Sequence, residues 1–152
     1  MKCNSGYISM KYWLLLHYTL PANPSARRVY VWRKLKRVGA ILLNESVWVL
    51  PDTPRTAEQF QWLAVEIQEM KGQAHVWRSN SFFEAQDDSL TSQFIELVDI
   101  EYHKLLTDMN KKNPDMAELS RRYQQVSAGD YFHSEIGALV REKLLSRRGE
   151  RS

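Results

Sequence analysis

Apolar and polar positions change period several times along the chain, and each change marks an element. Residues 11–18 crowd aromatics and leucines together and stop before Pro21, which predicts a buried strand. Asn23-Pro24 reads as an N-cap followed by proline at the first helical position, opening a helix that runs to about Arg37 and closes at Gly39. Two short apolar runs, 40–43 and 47–50, flank Asn44-Glu45-Ser46 and predict a β-hairpin ended by Pro51. Asp52-Thr53-Pro54 repeats the cap-then-proline signal. Behind it Phe60, Leu63, Ala64 and Ile67 recur at i, i+3, i+4 and i+7, one stripe of an amphipathic helix ending at Gly72. Residues 74–79 complete the set as a fourth strand.

That β-α-β-β-α-β order predicts an α+β fold, with a ferredoxin-like four-stranded antiparallel sheet over residues 11–79 and two helices covering one face. From Asn80 the pattern turns helical, over about 89–109, 114–126 and 134–148, so residues 80–152 read as an extension of about three helices packed on the sheet domain. Residues 1–10 read as a disordered leader and 147–152 as a frayed tail. Five tryptophans, at 13, 32, 48, 62 and 77, fall on nearly every element and are expected mostly in the core.

Composition narrows the class. The only cysteine, Cys3, cannot form an intrachain disulfide or a thiolate zinc site, and its lack of fixed basic neighbours makes it a poor redox sensor. A reducing, cytoplasmic setting follows. No apolar run approaches the roughly 18 residues a membrane helix needs, so no membrane partner is expected. No glycine-rich phosphate loop or nucleophile elbow is present, so neither an enzyme nor a cofactor is expected.

Charge adds a direction. Residues 1–79 hold 11 Lys+Arg against 5 Asp+Glu, whereas 80–152 hold 10 against 13, so an anionic partner would meet the first half. The first helix concentrates this surplus. Val31, Leu35 and Val38, with Trp32 at the margin, gather on one side, while Arg27, Arg33, Lys34, Lys36 and Arg37 fan over the other, with no acid between residues 24 and 39. Two readings compete: a solvated outer face, or an anion-binding surface in which Arg27, Arg28, Arg33, Lys34 and Arg37 meet DNA phosphates or a small oxyanion. The helix start at Asn23-Pro24-Ser25 is either plain capping or a second anion point. Glu96, Asp99 and His103 share a helix face, and Asp130-x-x-His133 recurs downstream, but this is a weak metal signal beside ordinary solvated pairs. His17 and His75 lie on strands and are expected to be partly buried and hydrogen-bonded.

The stretch from Tyr12 to Pro21, the stretch from Ala26 to Ala40, the run Asn44-Glu45-Ser46-Val47-Trp48-Val49-Leu50-Pro51-Asp52-Thr53, the helical 94–102 segment and Asp130-Tyr131-Phe132 resemble the N-terminal domain of the chromate-resistance regulator family ChrB. The resemblance covers roughly residues 11–132. It implies a regulatory protein that senses chromate and helps to control transcription of an efflux operon; a homodimer is expected as the partner state. Members of that family commonly carry a second, C-terminal domain, so this sequence reads as a stand-alone relative or a fragment. A more distant similarity links the sheet to the phenylacetate repressor PaaX and to small CRISPR-associated nucleases. Those nucleases place a metal-binding aspartate directly after the aromatic residue that ends strand 1. Here the position is Thr19, and a hydroxyl does not replace the carboxylate Mg²⁺ needs. The competing function is a protein-interaction or dimerisation module that touches neither nucleic acid nor chromate.

Overall fold

The computed structural model describes residues 11–150. The expected leader and Cys3 lie outside the described residues. The chain divides into two compact units, one ending at Asp87 and one beginning at Asp88.

The first unit contains β1 (Trp13–Thr19), α1 (Ser25–Arg37), β2 (Ile41–Leu43), β3 (Val47–Pro51), α2 (Pro54–Glu69) and β4 (Gln73–Ser79). The four strands form one sheet in the order β2-β3-β1-β4, with each neighbouring pair antiparallel. Alternation along the strands sorts the side chains. Leu42, Trp48, Leu16 and Val76 form one cross-strand row, and Tyr18 lies on the same face two residues beyond Leu16. Ile41, Val49, Leu15 and Trp77 form a row on the other face.

Local chemistry explains where the elements begin and end. Asn44 and Glu45 both take positive φ, 48° and 63°, the pair of left-handed angles a tight hairpin turn demands; the Ser46 N–H donates to the Leu43 carbonyl at 3.0 Å. Thr53 caps α2: its hydroxyl accepts from the Thr56 N–H at 3.1 Å, while the Thr56 hydroxyl accepts from the Thr53 N–H at 2.9 Å. The fully buried Thr56 hydroxyl also donates to the Pro51 carbonyl at 2.5 Å, tying the end of β3 to the start of α2. Asp52, the other residue of the predicted cap signal, instead pairs with Arg78. At α1 the N-cap is Pro24, without a side-chain cap, so Asn23 does not play the expected role. The residue ending α2 in the left-handed region is Lys71, with φ 68°. Gly72 is needed for closeness: a Cβ there would meet the Thr19 carbonyl oxygen at 2.3 Å.

Two expectations about burial are corrected. Only Trp13 and Trp48 are buried; Trp32, Trp62 and Trp77 are half exposed or more. An indole has a polar edge and tolerates a surface, so aromatic spacing alone did not place it inside. His17 and His75 are exposed and paired directly across β1 and β4. β4 lies at an edge of the sheet, where the outward row is left to solvent.

α3 (Glu84–Met109) crosses into the second unit and is followed by α4 (Met116–Ala128) and α5 (Glu135–Glu150). Tyr102, Leu105, Met109, Leu119, Val140 and Leu144 make that unit's core. A polar network lies against it. The Tyr102 hydroxyl donates to Asp130 at 2.9 Å, the Ser134 N–H donates to the same carboxylate at 3.0 Å, and the Ser134 hydroxyl bonds Asp99 and accepts from the Gly137 N–H at 3.2 Å. Gly137 is required here, since a Cβ would stand 2.5 Å from the Tyr102 ring. The last helix continues to Glu150, past the expected start of the tail at 147, and Arg147 donates to the Met109 carbonyl at 2.6 Å. No helix among the described residues is long and apolar enough to cross a membrane.

Candidate anion-binding cleft

The basic residues of α1 are divided by the helical period into two flanks. On one, Arg27 donates to the Met70 carbonyl at 3.0 Å, and Lys34 pairs with Glu66 at 2.6 Å. Tyr30 donates to the same Glu66 carboxylate at 2.7 Å. Burial would raise the Glu66 carboxyl, but the Lys34 and Tyr30 hydrogen bonds outweigh it and hold it below the usual range; the Glu66 bond in turn raises Lys34. These groups fasten α1 to α2.

The other flank carries Arg28, Trp32, Arg33 and Lys36. There α1 overhangs the Leu42–Trp48 row of the sheet and leaves a cleft of about 780 Å³. Arg28, Val29, Trp32 and Arg33 form one wall; Tyr18, Thr19 and Leu20 supply the end of β1, and Leu42, Glu45, Ser46 and Trp48 the hairpin side. Neither Arg28 nor Arg33 makes a salt bridge among the described residues.

The aromatic groups are fixed by their own contacts. The Lys36 ammonium lies 5.4 Å from the Trp32 ring centroid and 5.9 Å from that of Trp48, bridging the two indoles. Tyr18 and Trp48 both line the cleft, the Trp48 indole adding a donor edge to that side. Burial pushes the Tyr18 phenol up, against the opposing pull of neighbouring Trp48 and Arg28, and the group stays neutral at neutral pH.

The structure therefore does not gather the five predicted cations into one patch. Arg28 and Arg33 line the cleft, Arg27 and Lys34 face α2, and Arg37 is exposed near the end of α1. Sequence reasoning missed Tyr18, Trp48 and the Trp32–Lys36 pair as parts of a site. The i, i+4 spacing of Trp32 and Lys36 was a readable signal; the approach of Trp48 was not. Asp99 and Asp130, weighed as metal ligands, are both bonded to Ser134, and no group of three or more His, Cys, Asp or Glu suited to a metal occurs among the described residues.

Fold and cleft define a class: an α+β domain with a four-stranded antiparallel sheet and a guanidinium-lined aromatic cleft, continued by helices. The family model described as "Protein ChrB, N-terminal" matches residues 28–142, and the chain belongs to that family. "Protein ChrB" of Cupriavidus metallidurans is 29% identical over 140 residues, covering 83% of this chain and 42% of that protein. The chain thus spans less than half the length of this relative. No solved structure matches it.

Proposed function

We propose that the chain is a non-catalytic regulatory module of bacterial chromate resistance, built on a ferredoxin-like sheet and acting in the cytoplasm. Support for the fold name comes from the βαββαβ order with β3 and β1 central. In this reading Arg28 and Arg33 take the chromate oxyanion, Arg33 and Arg37 add contacts to DNA phosphates, and a second copy of the chain completes the regulator that controls an efflux operon. The observation that carries it, beyond family membership, is that Arg28 and Arg33 line one cleft without an ion pair among the described residues. Two guanidiniums without carboxylate partners have their forks available for an oxyanion. Thr19, at the end of β1, offers a hydroxyl where a metal nuclease needs a carboxylate, which supports the non-catalytic reading.

Calorimetric titration with chromate tests the sensing half. Saturable heat that disappears in Arg28→Ala/Arg33→Ala supports it; no heat from the wild type at millimolar chromate contradicts it. For the DNA half, Arg33→Ala/Arg37→Ala should weaken binding of a labelled duplex and flatten its salt dependence by about two units of slope. A second reading, a protein-interaction module, draws on the exposed aromatics Trp62, Trp77, Phe82 and Phe83, the third of them 90% exposed. Duplex binding unchanged in the Arg33/Arg37 variant would favour it.

A further inference from the structure

We infer that the cleft beside α1 is built for a flat aromatic anion, such as an aryl carboxylate, and not only for an inorganic oxyanion. The inference rests on the same cleft as the proposed function but on different properties of it. Its volume, about 780 Å³, lies in the range of pockets that hold drug-sized organic molecules and far exceeds what a tetrahedral oxyanion fills. Its walls combine three aromatic rings, Trp32, Trp48 and Tyr18, with apolar Leu42 and Val29. Such a lining gives a bare, fully hydrated anion little to gain, whereas a planar π system gains stacking and burial.

Charge sets the second half of the specificity. Arg28 and Arg33 bring two positive charges and Glu45 one negative charge to the lining, and the Lys36 ammonium adds a further positive charge against its indoles, so an anionic group is favoured. The Tyr18 hydroxyl, also in the lining, adds a neutral donor beside the guanidiniums. The indoles are held before any ligand arrives, because the Lys36 ammonium lies within 6 Å of both ring centroids. Less ordering remains to oppose binding.

The test titrates the full chain by calorimetry with 2-naphthoate, its saturated analogue decahydro-2-naphthoate, the neutral 2-naphthalenemethanol, and chromate. Saturable 2-naphthoate binding is expected, weakened about tenfold by loss of either the π face or the charge. Arg28→Ala and Arg33→Ala should each weaken it about tenfold, Trp32→Ala by about three- to tenfold, and Trp32→Phe by clearly less than Trp32→Ala. Trp32 is half exposed, so its variants are expected to fold, which thermal melts verify. Arg55→Ala, a charge-matched change at an exposed position of α2 outside the lining, should leave binding intact. Absence of saturable naphthoate binding overturns the inference, as does equal binding of the saturated acid or indifference to Arg28→Ala and Arg33→Ala. Chromate heat alone, without naphthoate heat, overturns it while sustaining the proposed function; naphthoate heat alone does the reverse.

Discussion

The polar network around Ser134 and the cleft beside α1 use similar chemistry to opposite ends. Both combine charged groups, hydroxyls and aromatic rings. Around Ser134 the groups answer one another: Asp130 accepts from Tyr102 and from the Ser134 backbone, Asp99 bonds the Ser134 hydroxyl, and that hydroxyl accepts from Gly137. In the cleft, Arg28 and Arg33 make no salt bridge among the described residues, and an indole stands half exposed. The lesson is that residue type does not separate a structural cluster from a binding one; what separates them is whether partners are already supplied by the fold. A satisfied network rigidifies, while an unsatisfied one has interaction energy left for a ligand.

This contrast fixes what mutations should do. The largest effect is expected from Gly137→Ala, whose Cβ would overlap the Tyr102 ring, at a cost of about 1–3 kcal/mol in denaturant unfolding. Adding Tyr102→Leu should recover part of that loss, and strict additivity would show that the overlap is not the cause. Ser134→Ala leaves the Gly137 N–H without this acceptor and should cost about 1–2 kcal/mol.

Alkaline titration probes the same network. Burial first, then the Asp130 bond, raises the Tyr102 phenol well above its ordinary 10.0, so the folded state holds a proton that the unfolded chain releases. Stability from this group is complete below pH 10 and declines as pH climbs past it, by at most about 1.4 kcal/mol per pH unit. Tyr102→Phe should flatten that decline; an unchanged slope would remove Tyr102 from the account. The smallest effect is expected on the flank of α1 that faces α2. Lys34→Ala breaks a partly exposed pair with Glu66 and should cost under about 1 kcal/mol. A larger loss would mean that this contact, and not the buried Val31 and Leu35, holds the helix in place.

Much of the first unit was legible in the sequence, because punctuation and period act locally. Pro54 after Thr53 and the 60–63–67 stripe fix α2, and Asn44-Glu45 marks the hairpin. What was not legible depends on which surfaces another element covers. The period places Arg27 and Arg33 alike on the polar side of α1, yet only the arrival of Met70 engages Arg27. Trp32 and Trp48 are separated by 15 intervening residues, and nothing in their spacing announces a shared Lys36. Gly72 read as a helix stop, but its necessity comes from the Thr19 carbonyl brought in from β1.

The most direct test of the central claim, that Arg28 and Arg33 are kept for a ligand and not for the fold, is one paired measurement on Arg28→Ala/Arg33→Ala. Unfolding free energy should stay within about 0.5 kcal/mol of the wild type, while calorimetric heats for both chromate and 2-naphthoate vanish. A variant that loses stability by several kcal/mol, or that binds both anions as the wild type does, would contradict it.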